Sequence, residues 1–173
     1  MTRSHTTWLI GGITLGLLLG LSLSGTLPQT PVHAVATHGQ DSFAIATGPV
    51  QDDIEAIYFL DFLTGDLRAA VMSFQTGKFN SFFTYNVAAD LSMPGAKNPR
   101  YLMVTGLADF RRGFGNIQPG RSLVYVAEAN SGQIAAYAVP WAAPLQAAGK
   151  PQAGTFVLLD KKKFRTTAIR DEE

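Results

Sequence analysis

From residue 43 onward, short apolar runs rich in Val, Ile, Phe and Tyr are separated by clusters of Gly, Pro, Asn and Asp. Runs of this length and composition, bounded by turn residues, predict β-strands. The pattern places them near 43–47, 56–61, 67–74 and 79–87, and then near 101–108, 122–128, 133–140 and 155–160. No run of helical period longer than two turns competes with them. Segments 87–91 and 142–148, the latter bounded by Pro144 and Pro151, read as connectors of at most one or two turns. Two of the strands are apolar on both faces: Ile57 and Phe59 alternate with Tyr58 and Leu60, and Val124 and Val126 alternate with Leu123 and Tyr125. A half-solvated strand alternates with polar residues, so these two central strands are expected to be covered on both sides.

One hairpin pattern occurs twice. Ala56-Ile57-Tyr58-Phe59-Leu60-Asp61 leads through Thr64-Gly65 into Leu67-Arg68-Ala69-Ala70-Val71, and Leu123-Val124-Tyr125-Val126-Ala127-Glu128 leads through Ser131-Gly132 into Ile134-Ala135-Ala136-Tyr137-Ala138. Setting Gly65 on Gly132 sets Tyr58 on Tyr125, Asp61 on Glu128, Leu67 on Ile134 and Ala69 on Ala136. Hairpin connections of three to five residues commonly need one residue at positive φ, which glycine adopts without a Cβ penalty. The acid before each turn is suited to accept hydrogen bonds from turn amides. A strand carrying Thr47-Gly48 or Thr105-Gly106 precedes each hairpin and another strand follows it, so the eight strands fall into two sets of four.

Tyr58-Phe59-Leu60-Asp61 with Thr64-Gly65-Asp66-Leu67, and Val124-Tyr125-Val126-Ala127-Glu128 with Ser131-Gly132-Gln133-Ile134, resemble the inner hairpin of a β-propeller blade of the quinoprotein or YVTN type. The resemblance covers about 16 residues in each copy and implies blade-like four-stranded units. The tryptophan that docks one quinoprotein blade on the next is missing from both copies, and two blades do not close a propeller. Quinone binding is therefore not carried over, and no cofactor is assigned. The whole chain also resembles an uncharacterised family of exported, N-terminally anchored bacterial proteins, which implies a location and no activity.

The expected fold is all-β: two four-stranded antiparallel blade-like units, preceded by one N-terminal hydrophobic helix. Such units bury both faces by stacking as a sandwich, by curling into one eight-stranded barrel, or by packing in a ring with other copies. The expected organisation is a leader at 1–28, a linker at 29–40, an all-β domain at 41–165 with its repeats at 43–87 and 101–160, and a polar tail at 166–173.

Residues 8–25 contain no charge. As a helix they reach about 27 Å, close to the hydrocarbon thickness of a bilayer. Arg3 and the amino terminus precede this run and no charged residue follows until Asp41, so the orientation rule keeps the N-terminus cytoplasmic and exports the domain. Val32-His33-Ala34 and Ala34-Val35-Ala36 offer cleavage sites after Ala34 or Ala36. The apolar run exceeds a usual signal-peptide core of about 7–15 residues, which favours a retained anchor over a secreted form. Gly12, Gly16 and Gly20 have a spacing that suits helix pairing.

The 173-residue chain is 46% hydrophobic, the size and composition of one globular domain with an appendage. Without Arg3 the basic and acidic residues balance, so the domain lacks the electrostatic footprint of a nucleic-acid binder. There is no cysteine, which excludes disulfides, thiolate metal sites and cysteine nucleophiles. His5, His33 and His38 are the only histidines, so the region after Gly39 has no His general base and no imidazole zinc ligand.

The second copy carries an insertion at 109–121 in which Arg111, Arg112, Phe114 and Arg121 suit an anionic or planar ligand. A solvated loop whose arginines pair with nearby acids is the alternative. Asp52, Asp53 and Glu55 lack calcium-loop spacing and read as a charged turn, and Asp61 with Asp66 reads as turn structure rather than a carboxylate pair. Trp141 reads as cover for a sheet edge, and Lys161, Lys162 and Lys163 as a solvated end that discourages edge-to-edge association. No catalytic residue or metal ligand is assigned.

These observations together read as an exported, membrane-anchored, non-catalytic binding or scaffold module of the cell envelope. Its expected partners are the membrane, through the leader, and a protein or further copies of itself. Two alternatives stay open: an extracytoplasmic enzyme or cofactor-binding protein using loop 109–121, and a small accessory subunit of a membrane complex. A pocket gathering Arg111, Arg112 or Arg121 with an acid favours the enzyme, whereas a flat exposed apolar face favours the binding module.

Overall fold

The computed structural model describes residues 13, 37–39, 41–91, 98–108, 110 and 118–165. The expected hydrophobic helix lies outside the described residues apart from Ile13, as does tail 166–173. The described residues from Thr37 to Arg165 belong to one compact unit. Among the described residues no helix is long and apolar enough to cross a membrane.

Ten strands carry the unit: β1 (Thr37–Gly39), β2 (Phe43–Gln51), β3 (Ile54–Asp61), β4 (Asp66–Ser73), β5 (Lys78–Asn86), β6 (Tyr101–Leu107), β7 (Pro119–Glu128), β8 (Gln133–Pro140), β9 (Ala153–Thr155) and β10 (Val157–Lys163). Two short helices, α1 (Ala88–Leu91) and α2 (Ala143–Ala147), occupy the two predicted connectors. The all-β class and the two antiparallel meanders follow the sequence pattern: β2-β3-β4-β5 holds the first repeat and β6-β7-β8-β10 the second.

Three details differ from expectation. The first sheet has six strands in the order β1-β2-β3-β4-β5-β9, because β1 joins β2 antiparallel and β9 joins β5 parallel. The second keeps four, in the order β10-β8-β7-β6, and among the described residues neither sheet closes into a barrel. The strand expected at 155–160 is divided: Thr155 ends β9 in the first sheet and Val157 begins β10 in the second. Phe156 sits at the crossing, buried, with its ring centroid 6.2 Å from that of Tyr58. Enclosing a phenylalanine is worth about 1.5–3 kcal/mol, enough to break the run where its side chain enters the core.

Coverage of the central strands is the third difference. In β3, Ile54, Ala56, Tyr58 and Leu60 are buried while Glu55 and Phe59 on the opposite face are exposed. Phe59 is instead stacked on Phe43 of the neighbouring strand, centroids 5.2 Å apart, which shields part of each ring. In β7 both faces are better enclosed, since Leu123 is buried along with Val124 and Val126.

The buried faces of the two sheets contribute to one hydrophobic cluster, with Ala46, Tyr58, Leu60, Leu67 and Val71 from the first and Met103, Val124, Val126, Tyr137 and Val139 from the second. Where β2 meets the second sheet the approach is very close. A Cβ on Gly48 would lie 2.7 Å from Ser122 Oγ, so only glycine fits there. Beside it, the Tyr58 hydroxyl and Ser122 Oγ are 2.9 Å apart, and Thr105 Oγ1 donates to the Thr47 carbonyl at 2.7 Å. The first-strand Thr-Gly positions of the two repeats thus lie close together in the junction.

The two repeated turns match bond for bond. Gly65 N–H donates to the Asp61 carbonyl at 2.9 Å and Gly132 N–H to the Glu128 carbonyl at 2.8 Å, with φ of +73° and +66° at the glycines. Asp61 Oδ1 accepts from the amides of Leu63 at 2.8 Å and Thr64 at 3.3 Å, while Glu128 accepts from Asn130 at 3.1 Å and Ser131 at 2.6 Å. Thr64 Oγ1 and Ser131 Oγ each accept the amide two residues on, both at 3.2 Å.

Candidate functional site

Of the expected ligand-contacting residues, Arg111, Arg112 and Phe114 lie outside the described residues. Arg121 stands in β7 and forms an ion pair with Asp52, which occupies the β2–β3 turn. Asp53 beside it adopts φ +59°, a left-handed conformation that aspartate tolerates better than most residues. Asp52 is thus engaged by a cation of this chain, and among the described residues no group of three or more His, Asp or Glu side chains is placed to hold a metal. Asp66 pairs with Arg68 at 3.4 Å and accepts from Asn86 Nδ2 at 3.0 Å. Trp141 is buried, donates from Nε1 to Gln51 Oε1 at 3.0 Å, and packs near Phe83. Lys161–Lys163 run along β10, the edge strand of the second sheet.

A polar cluster that the sequence pattern did not single out joins the sheets. Tyr85 on β5 and Tyr137 on β8 have ring centroids 5.3 Å apart, and both hydroxyls donate to the same oxygen, Asp90 Oδ2, at 2.9 and 3.1 Å. Burial, reinforced by the adjacent carboxylate, pushes both phenols above their ordinary range. Lys161 Nζ donates to the Asp90 carbonyl at 3.3 Å. Such a cluster ties α1 to both sheets. Its only sequence signal is one acid in a short apolar connector.

The outer faces carry the larger features. On the second sheet, Leu102 and Val104 of β6 are 65% and 55% exposed, and Tyr125, Ala127, Ile134 and Ala136 continue the same face across β7 and β8 in register. This face holds a shallow hollow of about 170 Å³ rimmed by Asp160, Lys162 and Phe164. On the first sheet, Phe43, Ile57, Phe59, Ala70, Met72 and Phe82 share the outer side, with Phe82 51% exposed.

The two repeats bury opposite faces. Tyr58, Leu60, Leu67 and Ala69 point into the core, whereas their counterparts Tyr125, Ala127, Ile134 and Ala136 line the outer face. Conversely Val124, Val126, Ala135 and Tyr137 are buried, whereas their counterparts Ile57, Phe59, Arg68 and Ala70 lie outside. We call the Tyr58/Tyr125 side of each unit its front and the Phe59/Val126 side its back. The front of the first unit packs on the back of the second. Apolar residues on both sides of β3 and β7 suit either face to burial and do not specify which one packs inward.

A half-open cleft of about 730 Å³ lies at the β6 edge, lined by Phe62, Tyr101, Leu102 and Met103 with Asp41 and Arg100. Among the described residues neither the Asp41 nor the Arg100 side chain forms an ion pair. Its volume suits a small ligand, with mostly apolar walls and two opposite charges. Arg121, the expected ligand-contacting residue that is described, is not among its walls.

Searches against protein-family models, curated proteins and solved structures find no match to this chain.

Proposed function

We propose that the chain is an exported, membrane-anchored, non-catalytic binding or scaffold module of the cell envelope, built from two blade-like units stacked as a sandwich. The observation that carries this reading is the apolar outer face of the second sheet, where Leu102 and Val104 are each more than half exposed. Large exposed aliphatic side chains lying together in register cost solubility and mark interaction surfaces. The apolar leader at 8–25 and the lone positive flank at Arg3 supply the anchor and its orientation. Arg121 is engaged with Asp52, as in a solvated loop whose arginines pair with nearby acids, and Arg111, Arg112 and Phe114 lie outside the described residues, so an enzyme or cofactor-binding protein using loop 109–121 stays the second reading.

Extraction of the native protein in mild detergent tests the reading. The full chain is expected to co-purify with protein bound through this face, and Leu102→Lys with Val104→Lys is expected to strip that protein away while leaving the circular dichroism unchanged. Identical co-purification of wild type and variant overturns the role of the face. Sequencing the amino terminus of the same preparation checks the anchor: a chain beginning at Val35 or Thr37 has lost it.

A further inference from the structure

Two copies of one unit can bury their apolar sides in two ways. In a two-fold pair the same face of each unit meets itself and nothing is left over. In a front-to-back stack each contact uses one front and one back, so any finite open stack ends with one unused front and one unused back. This chain is of the second kind: the buried front residues Tyr58 and Leu67 have exposed-side counterparts in Tyr125 and Ile134, while the buried back residues Val126 and Tyr137 correspond to outer Phe59 and Ala70. The unused front is the Leu102/Val104 face of the second sheet and the unused back is the Phe59/Phe82 face of the first.

We propose that a second copy of this chain occupies the unused front, docking its own unused back there, so that chains assemble head to tail. The proposal rests on the binding-module reading and names its partner. Its support is continuity with the interface that the chain already makes internally. The repeat strands of both open surfaces keep the parity and order of those already joined, with β1 and β9 added at the edges of the first sheet: Leu102 and Val104 stand where Ala44 and Ala46 stand in the buried front, and in the open back Met72 stands where Val139 stands and Arg68 where Ala135 stands. Leu and Val in place of two alanines widen the new contact at β6 relative to the internal one. Because the contact joins different surfaces, it propagates until it closes into a ring or continues as an open stack.

The experiment is light scattering after size exclusion, on the full chain in mild detergent, with three samples. A front variant carries Leu102→Lys and Val104→Lys, and a back variant carries Phe59→Lys and Phe82→Lys. All four positions are exposed or at the exposed margin, and thermal melts confirm that each variant remains folded. Wild type is expected to run as an oligomer, and each variant alone to fall at least about twofold in mass to the monomer. Mixing the two variants is expected to restore a dimer and nothing larger, since one intact front then meets one intact back.

A monomeric wild type overturns the proposal, as does an oligomer whose mass neither variant changes, because such an assembly is held by the leader or elsewhere. A front variant that dissociates beside a back variant that does not, with no recovery on mixing, indicates a symmetric front-to-front pair and also overturns it. A monomeric wild type that still captures a different envelope protein through Leu102 and Val104 separates the two readings: the second copy is wrong and the binding module stands.

Discussion

Asp61 and Glu128 close their hairpins with the same bonds, each accepting the amides two and three residues ahead, yet only Glu128 is buried and takes a third amide, that of Arg100, at 3.1 Å. The extra bond anchors the strand that enters β6 to the turn that leaves β7. Burial by itself would raise the Glu128 carboxyl, but the amides of Ser131, Arg100 and Asn130 outweigh it and hold the group below the ordinary carboxylate value. Removing Glu128 therefore strands three donors in a closed site, whereas removing Asp61 exposes its donors to water. Glu128→Ala is expected to cost about 2–4 kcal/mol and Asp61→Ala about 1 kcal/mol in urea unfolding. Equal losses would contradict the burial argument.

The same carboxylate gives the fold an acid-side slope. A group whose folded pKa is depressed contributes stability that is present above its unfolded value, about 4.3, and is lost as pH falls through the folded value. Urea midpoints measured from about pH 6 downward should fall below about pH 4.3 for wild type, and less steeply for Glu128→Gln. A variant with the wild-type slope would assign the acid sensitivity to other carboxylates.

Gly65 and Gly132 invite a paired test, since both have positive φ in matched turns. Alanine at either position is strained by about 1–2 kcal/mol. At 132 its Cβ would also collide with the Arg165 backbone and Cβ, whereas at 65 it would lie 2.9 Å from the Cβ of Ala88. Gly132→Ala is thus expected to lower the melting temperature more than Gly65→Ala. The reverse order would show that the chain around Arg165 yields readily.

How much of this was legible depended on the range of the cause. The Gly turns and their acids are local, and the eight-strand pattern translated into the two meanders because turn chemistry and neighbouring apolar runs suffice to define a hairpin. The break at Phe156 was not legible: Thr155 to Asp160 contains no glycine or proline, and the chain changes sheets only because a distant core accepts that ring. Nor did the apolarity of Ile57 and Phe59 reveal that their side faces outward, since composition records the affinity for cover and not its presence. The β6 cleft and the Asp90 cluster draw on strands from separate repeats, so no window of sequence contains either of them.

Tyr58 is one of the buried phenols that set the alkaline limit, and Tyr137 is another. Burial, the largest influence, pushes the Tyr58 phenol up to about 12, against a smaller opposing effect of the Ser122 hydrogen bond. A group whose folded pKa is raised contributes stability that is whole below its unfolded value, about 10, and is lost as pH rises toward the folded value. Tyr58 alone then removes about 1.4 kcal/mol per pH unit between about pH 10 and about 12. Chemical unfolding across that window should be shallower for Tyr58→Phe, and tyrosinate absorption should show one phenol fewer ionising only with unfolding. An unchanged slope in the variant would mean that the Tyr58 hydroxyl reaches solvent before the fold opens.

The shared acceptor of Tyr85 and Tyr137 makes a prediction about coupling rather than size. With Asp90 in place, Tyr137→Phe removes one satisfied bond and is expected to cost about 1 kcal/mol. Asp90→Ala leaves the buried Tyr137 hydroxyl and the half-buried Tyr85 hydroxyl without this acceptor and is expected to cost about 2–4 kcal/mol. In that background Tyr137→Phe deletes a hydroxyl that has become a liability, so its cost should vanish or change sign. The four proteins of this cycle, unfolded in urea at neutral pH, give the coupling directly. If Tyr137→Phe costs the same with and without Asp90, the carboxylate does not hold the hydroxyl and the two sheets are tied by ring packing alone.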